Sequence, residues 1–285
     1  MDLGYIGLGI MGKECARHLL DAGHTLYIWA RRPEACADLA SLGAIVCDSA
    51  AEVASRVDII FTNVSDTPDV EEVLLGENGV CKGARPGLIA VDMSTISPLA
   101  TRRMAEELKR YGVELVDAPV SGGSVGAREG TLTFMVGAAE ETYERILPVL
   151  KLMGKTFTRI GNVGDGQTAK ACNQIAVAGN TAIMVELMRF AEACDVDPAK
   201  VREALLGGFA QSRVLELHGK RILDDDFTPG FKATLHNKDM NIVLDVAREK
   251  NLNLELTKIA SRRISELVEQ GDGDLDSSAV YRLKL

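Results

Sequence analysis

The stretch "LGYIGLGIMGKECARHLLDAG" (residues 3–23) decides the fold. A short apolar run leads into Gly7, Gly9 and Gly12 at G-x-G-x-x-G spacing around Leu8, Ile10 and Met11, and a helical pattern follows. Each glycine has a task where a strand turns into a helix to receive a dinucleotide. Gly7 permits the tight turn, Gly9 lets backbone approach a pyrophosphate, and Gly12 lets helix and strand pack closely. The helix N-terminus then faces the anion with unpaired N–H groups.

Outward from this unit, strand-like runs alternate with amphipathic stretches: "TLYIWA" (25–30), "DIIFTNV" (58–64), "LIAVDMS" (88–94) and "VELVDAPV" (113–120). This is βαβ alternation, which predicts a Rossmann-type, doubly wound α/β domain. From Gly164 onward strand signals stop, and helical patterns fill 166–194, 198–206, 211–223, 233–250 and 255–269. The expected organisation is a dinucleotide-binding domain over 1–163 and an all-α substrate and oligomerisation domain over 164–285, joined by a long interdomain helix, with the active site in the cleft between them.

The chain has 285 residues, 46% of them hydrophobic, enough for two cores. A net charge of −9 argues against nucleic acid as a partner, because phosphate backbones need a basic footprint. No apolar run is long enough for a bilayer and the N-terminus lacks a signal-peptide pattern, so a cytoplasmic protein with no membrane partner is expected. The six cysteines show neither zinc nor disulfide spacing and read as reduced, core-type thiols. The four histidines are scattered, and no metal site is expected.

After the second strand a dinucleotide fold usually presents an acid to the adenosine ribose. Here "WARRPEA" (29–35) offers Arg31 and Arg32 instead, which favours NADP(H), with NAD(H) also usable. Further on, "DAPVSGGSVGAREGTL" (117–132) carries Ser121, Gly122 and Gly123 at the end of a strand. One hydroxyl and successive N–H groups without bulky side chains make a cradle for a small carboxylate. The third element is Lys170, which opens a run, 171–185, that holds no charged residue and is apolar on every side. A helix of that kind is expected to be buried, against a partner chain as well as its own domain, giving a homodimer or homotetramer. A lysine at its start either keeps a solvated surface or faces a ligand, and Asn173 lies one turn on.

Four ordered segments resemble the β-hydroxyacid dehydrogenases, the family of 3-hydroxyisobutyrate dehydrogenase: "YIGLGIMGKECARHL" (5–19), "DAPVSGGSVGAREGTL" (117–132), "GDGQTAKACNQ" (164–174) and "FKATLHNKDM" (231–240). The resemblance spans essentially the whole chain. It implies hydride transfer between NADP(H) and a small carboxylic acid bearing an aldehyde or hydroxyl group, with Lys170 as the catalytic lysine and Asn173 holding substrate. It also implies a nicotinamide-ribose contact from Thr95 and closure over the cofactor by Lys238, with Asp239 orienting nearby groups. Read without the family, Thr95 could cap the helix beginning near Pro98, and Lys238 and Asp239 could be a solvated helix face. Two departures stand out: Cys15 where the signature usually has Met, and Ala30 where many members carry Asn. A non-catalytic, NADP-binding regulatory module is the alternative of a different class.

Overall fold

The computed structural model describes residues 1–284 and divides into two compact units, Met1–Lys170 and a second from Ala171 onward. The first is built on one nine-stranded sheet. Its strands are β1 (Asp2–Ile6), β2 (Thr25–Trp29), β3 (Ile45–Val46), β4 (Ile59–Thr62), β5 (Ile89–Asp92), β6 (Glu114–Asp117), β7 (Val120–Ser121), β8 (Leu132–Gly137) and β9 (Gly154–Gly161). The order is β3-β2-β1-β4-β5-β6-β8-β7, with β9 paired to β8. Strands β1 to β6 run parallel, while β8 is antiparallel to β6 and β7.

Parallel strands need crossover helices on both faces, so their residues must be apolar on both. Strands β4 and β5 are buried at every position. Because side chains alternate along a strand, one apolar cluster takes Tyr5, Phe61, Val91 and Val116 and the other takes Ile6, Ile60, Ala90 and Leu115. This is the doubly wound architecture. Trp29, Ile6, Thr62, Asp92 and Asp117 stand in register across the carboxyl edge, so the loops that leave these strands begin along one line. The strand order reverses between β1 and β4, which opens a crevice beyond their carboxyl ends.

The second unit is helical, with Pro198–Leu206, Arg213–Leu223, Ala233–Glu249 and Glu255–Leu267 following the long helix Asp165–Ala193. Asp197 and Ser212 accept N-cap hydrogen bonds at two of these starts, and Asp276 caps the closing 3-10 turn Ser277–Arg282. Met184, Met188, Leu215, Met240, Ile264 and Leu267 form its core. Among the described residues no helix is long and apolar enough to cross a membrane.

Within the single chain the long helix buries one stripe, Lys170, Gln174, Ala178, Thr181, Val185 and Met188, and leaves Cys172, Ala176, Asn180 and Ile183 exposed. Two expectations change. The cysteines are not all core thiols, since Cys172 and Cys194 are exposed. Strands β3, β7, β8 and β9 also exceed the sequence reading: β3 and β7 have only two residues each, and half-exposed β9 carries Phe157 and Ile160 as its large apolar residues among polar ones.

Candidate active site

The glycine loop follows β1. Gly7 has φ +92°, and a Cβ there would overlap the carbonyl oxygen of Asn63, while a Cβ on Gly12 would overlap that of Gly7. Two glycines are thus demanded by the chain's own backbone. Around Gly9 nothing lies within 4 Å of a would-be Cβ. Gly9 also N-caps the helix Ile10–Asp21 with no side-chain cap and no acid in the first turn. An open backbone surface at an uncapped helix start fits a pyrophosphate. Leu8 is buried, Met11 half-buried and Ile10 exposed. Beneath the loop, burial pushes the Cys15 thiol up to about 12 and raises Tyr5 well above its usual value, so both are neutral at pH 7 and set no negative charge against the anion.

Arg31 and Arg32 leave β2 into solvent. The Arg31 side chain is 80% exposed and donates to Asp69 Oδ1 at 3.0 Å. A 2′-phosphate at this position would compete with the Asp69 carboxylate for the guanidinium, or share it.

The helix that carries Lys170 is fastened to the sheet edge by side chains the sequence reading passed over. Asp117, last residue of β6, accepts from the Gly164 N–H at 2.6 Å and from the Gln167 N–H at 2.7 Å, satisfying two of the N–H groups that a helix start leaves orphaned. Burial pushes its carboxyl up to about 6, and the two backbone donors oppose the shift. Gly166 permits this contact, because a Cβ there would run into Met135 and Asp117. Gln167 in turn donates from Nε2 to the Ser94 carbonyl at 2.7 Å and accepts from the Ile96 N–H at 3.1 Å, on either side of Thr95. Thr95 does not cap the helix Pro98–Lys109; Ser97 does, accepting from the Ala100 N–H. Lys170 is only 8% exposed.

Ser121 pairs with Thr133 across β7 and β8 and is half-buried. The next two residues, Gly122 and Gly123, have φ +133° and +60° and open a short helix, Gly123–Glu129, with no side-chain cap. No side chain caps the N–H groups at the start of this helix.

In the second unit, Asn173 Nδ2 donates to Gln174 Oε1 at 2.7 Å, and Gln174 Nε2 donates to Asp239 Oδ2 at 2.6 Å. The Lys238 ammonium lies 2.9 Å from Asp239 Oδ1. Asp239 is 2% exposed and Lys238 is 17% exposed, so this stretch is not a solvated face. Among the described residues no group of three or more His, Cys, Asp or Glu is placed to hold a metal ion.

Sequence reasoning missed Asp117, Gln167 and Gln174. A signal existed: Gln167, Lys170 and Gln174 fall at i, i+3 and i+7, which aligns them on one helix face. Three polar residues on the face that buries are there to be hydrogen-bonded.

A doubly wound sheet with a glycine loop at its switch point defines a dinucleotide-binding architecture. Residues 2–161 match the NAD-binding domain of 6-phosphogluconate dehydrogenase, and residues 164–284 match the NAD-binding domain of NADP-dependent 3-hydroxyisobutyrate dehydrogenase. The chain is 48% identical over 282 residues to 2-hydroxy-3-oxopropionate reductase of Escherichia coli, covering 99% of this chain and 96% of that one. Among solved structures it is similar to 3-hydroxyisobutyrate dehydrogenase from Salmonella typhimurium (TM-score 0.88, 30% identity, 99% of each chain). It is also similar to the Mycobacterium tuberculosis 3-hydroxyisobutyrate dehydrogenase solved with L-serine (TM-score 0.91, 29% identity, 99% of this chain and 98% of that one). The chain belongs to the 3-hydroxyisobutyrate dehydrogenase-like family and is an NAD(P)-dependent β-hydroxyacid dehydrogenase. The regulatory-module alternative falls with that assignment.

Proposed function

We propose that this enzyme reduces the aldehyde of a small acid semialdehyde with NADPH, tartronate semialdehyde to D-glycerate above others. The observation that carries the reading is a lysine, Lys170, buried at 8% exposure on a helix fastened to the carboxyl edge of a dinucleotide-binding sheet. Identity of 48% to the Escherichia coli 2-hydroxy-3-oxopropionate reductase supports the choice of substrate. When bound, NADPH would supply the hydride that the carbonyl carbon accepts. As negative charge builds on the carbonyl oxygen, the Lys170 ammonium hydrogen-bonds that oxygen and passes it a proton, leaving an alcohol and a neutral amine that solvent reprotonates. Asn173 holds the substrate by hydrogen bonds. Lys238 contacts the cofactor, and Asp239 orients its ammonium.

The substrate carboxylate is assigned to the Ser121 hydroxyl and the N–H groups of Gly122 and Gly123. Ser121→Ala should therefore raise KM for acid semialdehydes by about tenfold, as loss of a hydrogen bond to a charged group does. The methyl ester of the same aldehyde should be a poor substrate for the wild type. Equal kcat/KM for acid and ester would remove the carboxylate cradle.

Arg31 is assigned to the adenosine 2′-phosphate, with Arg32 beside it. A charge-assisted contact contributes roughly 1.5–3 kcal/mol, or tenfold to a hundredfold. The lower end applies, because the guanidinium is 80% exposed and already paired to Asp69. Arg31→Ala is expected to shift the kcat/KM ratio of NADPH to NADH about tenfold toward NADH. An unchanged ratio would make the arginine a solvated loop residue.

The same side chains would serve glyoxylate, succinate semialdehyde or 3-hydroxyisobutyrate chemistry, and two structural relatives carry the name 3-hydroxyisobutyrate dehydrogenase. Rates across a panel of these substrates separate the readings. A homodimer or homotetramer is also proposed, supported by Ile183 and Phe190 on the long helix, which are 60% and 72% exposed. Sedimentation velocity gives the mass, and a monomer would refute it.

A further inference from the structure

We infer that Gln167 is a positioning residue for the reaction, holding the Thr95 loop in register with the helix that presents Lys170. The inference rests on the roles proposed above for Thr95 and Lys170. Gln167 is 1% exposed. Its amide meets the carbonyl of the residue before Thr95 and the N–H of the residue after it, as a neighbouring strand would. Residue 95 is thereby gripped through its backbone on both sides. The main chain of Gln167 is held in turn by Asp117, at 2.7 Å. Lys170 follows three positions later on the same face, at the spacing that makes helix residues neighbours.

The chemistry of the amide explains the residue type. One arm of the clamp donates and the other accepts, so the side chain must do both at once. Ionised glutamate accepts only, and methionine of similar length and shape does neither. A buried glutamine that merely filled space would have its two arms satisfied anywhere in the core. This one spends both on the two peptide groups flanking Thr95. It sits one helical turn from the proposed proton donor. A shift of about 1 Å between reacting groups can lower a rate roughly a hundredfold, so a loop free to move relative to the helix acts on turnover before it acts on binding.

The test uses the purified full-length enzyme with NADPH and tartronate semialdehyde. Gln167→Met should lower kcat by about tenfold to a hundredfold. KM for the aldehyde and Kd for NADPH, read by protein fluorescence quenching, should stay within about threefold. The primary isotope effect with NADPH deuterated at the transferred position should rise toward its full value, because hydride transfer becomes rate-limiting. A loss of folded protein alone would leave the isotope effect of the remaining activity unchanged. Gln167→Glu is the second variant: when its carboxyl is protonated, the O–H can donate to Ser94 while the C=O accepts from Ile96. Its kcat relative to wild type should therefore recover as pH falls, whereas that of Gln167→Met, which keeps Asp117 but adds no carboxyl, should not. Should Gln167→Met not fold, the pH profile of Gln167→Glu decides alone. A Gln167→Met kcat within about threefold of wild type, or a flat Gln167→Glu ratio with pH, overturns the inference. A wild type that turns over no acid semialdehyde overturns the underlying reading and the inference with it.

Discussion

Lys170→Ala is expected to lower kcat for aldehyde reduction by a hundredfold or more, while NADPH binding stays close to that of the wild type. General acid catalysis alone contributes about 10²–10⁴-fold, and the variant loses both the proton donor and the positive charge facing the developing oxyanion. Binding should persist because the glycine loop and Arg31, assigned above to the dinucleotide, follow β1 and β2 and lie outside the lysine helix. Steady-state kinetics combined with NADPH titration checks both halves: a near-normal kcat would refute the mechanism, and a parallel loss of NADPH affinity would move Lys170 from the carbonyl to the cofactor.

Asp117→Ala carries the largest expected cost in stability. Its carboxylate satisfies the Gly164 and Gln167 N–H groups in a buried setting, and alanine leaves both without an acceptor. At roughly 1–3 kcal/mol for each orphaned donor, the loss is about 2–6 kcal/mol, a large part of the 5–15 kcal/mol typical of a domain. Because its carboxyl in the folded chain sits at about 6, above the usual 3.8, the native state binds the proton more tightly than the unfolded state does. The contribution of this residue to stability is therefore fully present below about pH 4 and declines as pH rises through 6. In urea titrations the stability of the wild type relative to Asp117→Asn should fall across that window. A difference that grows with rising pH would mean the two backbone donors outweigh burial and the shift runs the other way.

How much of this was legible beforehand depended on the range of the interaction. The glycine loop could be read because its spacing answers local demands, a turn, an open backbone and a close packing, each met within six residues. The parallel strands could be read because burial on both faces leaves an apolar run with no polar interruption, as in β4 and β5. Strand β9 could not be read in that way: with one flank half-exposed, its "GKTFTRIG" looks like a loop until β8 pairs with it. Lys170 stood out as a charge at the head of an uncharged run, whereas Asp117, lying in the middle of a strand-like run, gave no sign that its partners would be 47 and 50 residues away. The hydrogen bond from Gln167 to Ser94 spans 73 residues. Such pairings follow from topology, which brings the ends of β5 and β6 beside the start of the long helix. The open stripe of the helix along 171–185, which includes Cys172, Ala176 and Ile183, could not be told from its buried stripe, because apolar residues lie on both.

Lysine-assisted reduction of an acid semialdehyde by NADPH is decided by following NADPH oxidation by the purified wild type. The panel is tartronate semialdehyde, glyoxylate, succinate semialdehyde and a neutral aldehyde of similar size, with the product of the first resolved by chiral chromatography. The highest kcat/KM is expected for tartronate semialdehyde, with D-glycerate as its product and little turnover of the neutral aldehyde. Turnover of the neutral aldehyde as fast as the acids, or no NADPH oxidation with any of the four, would refute the reduction proposed here.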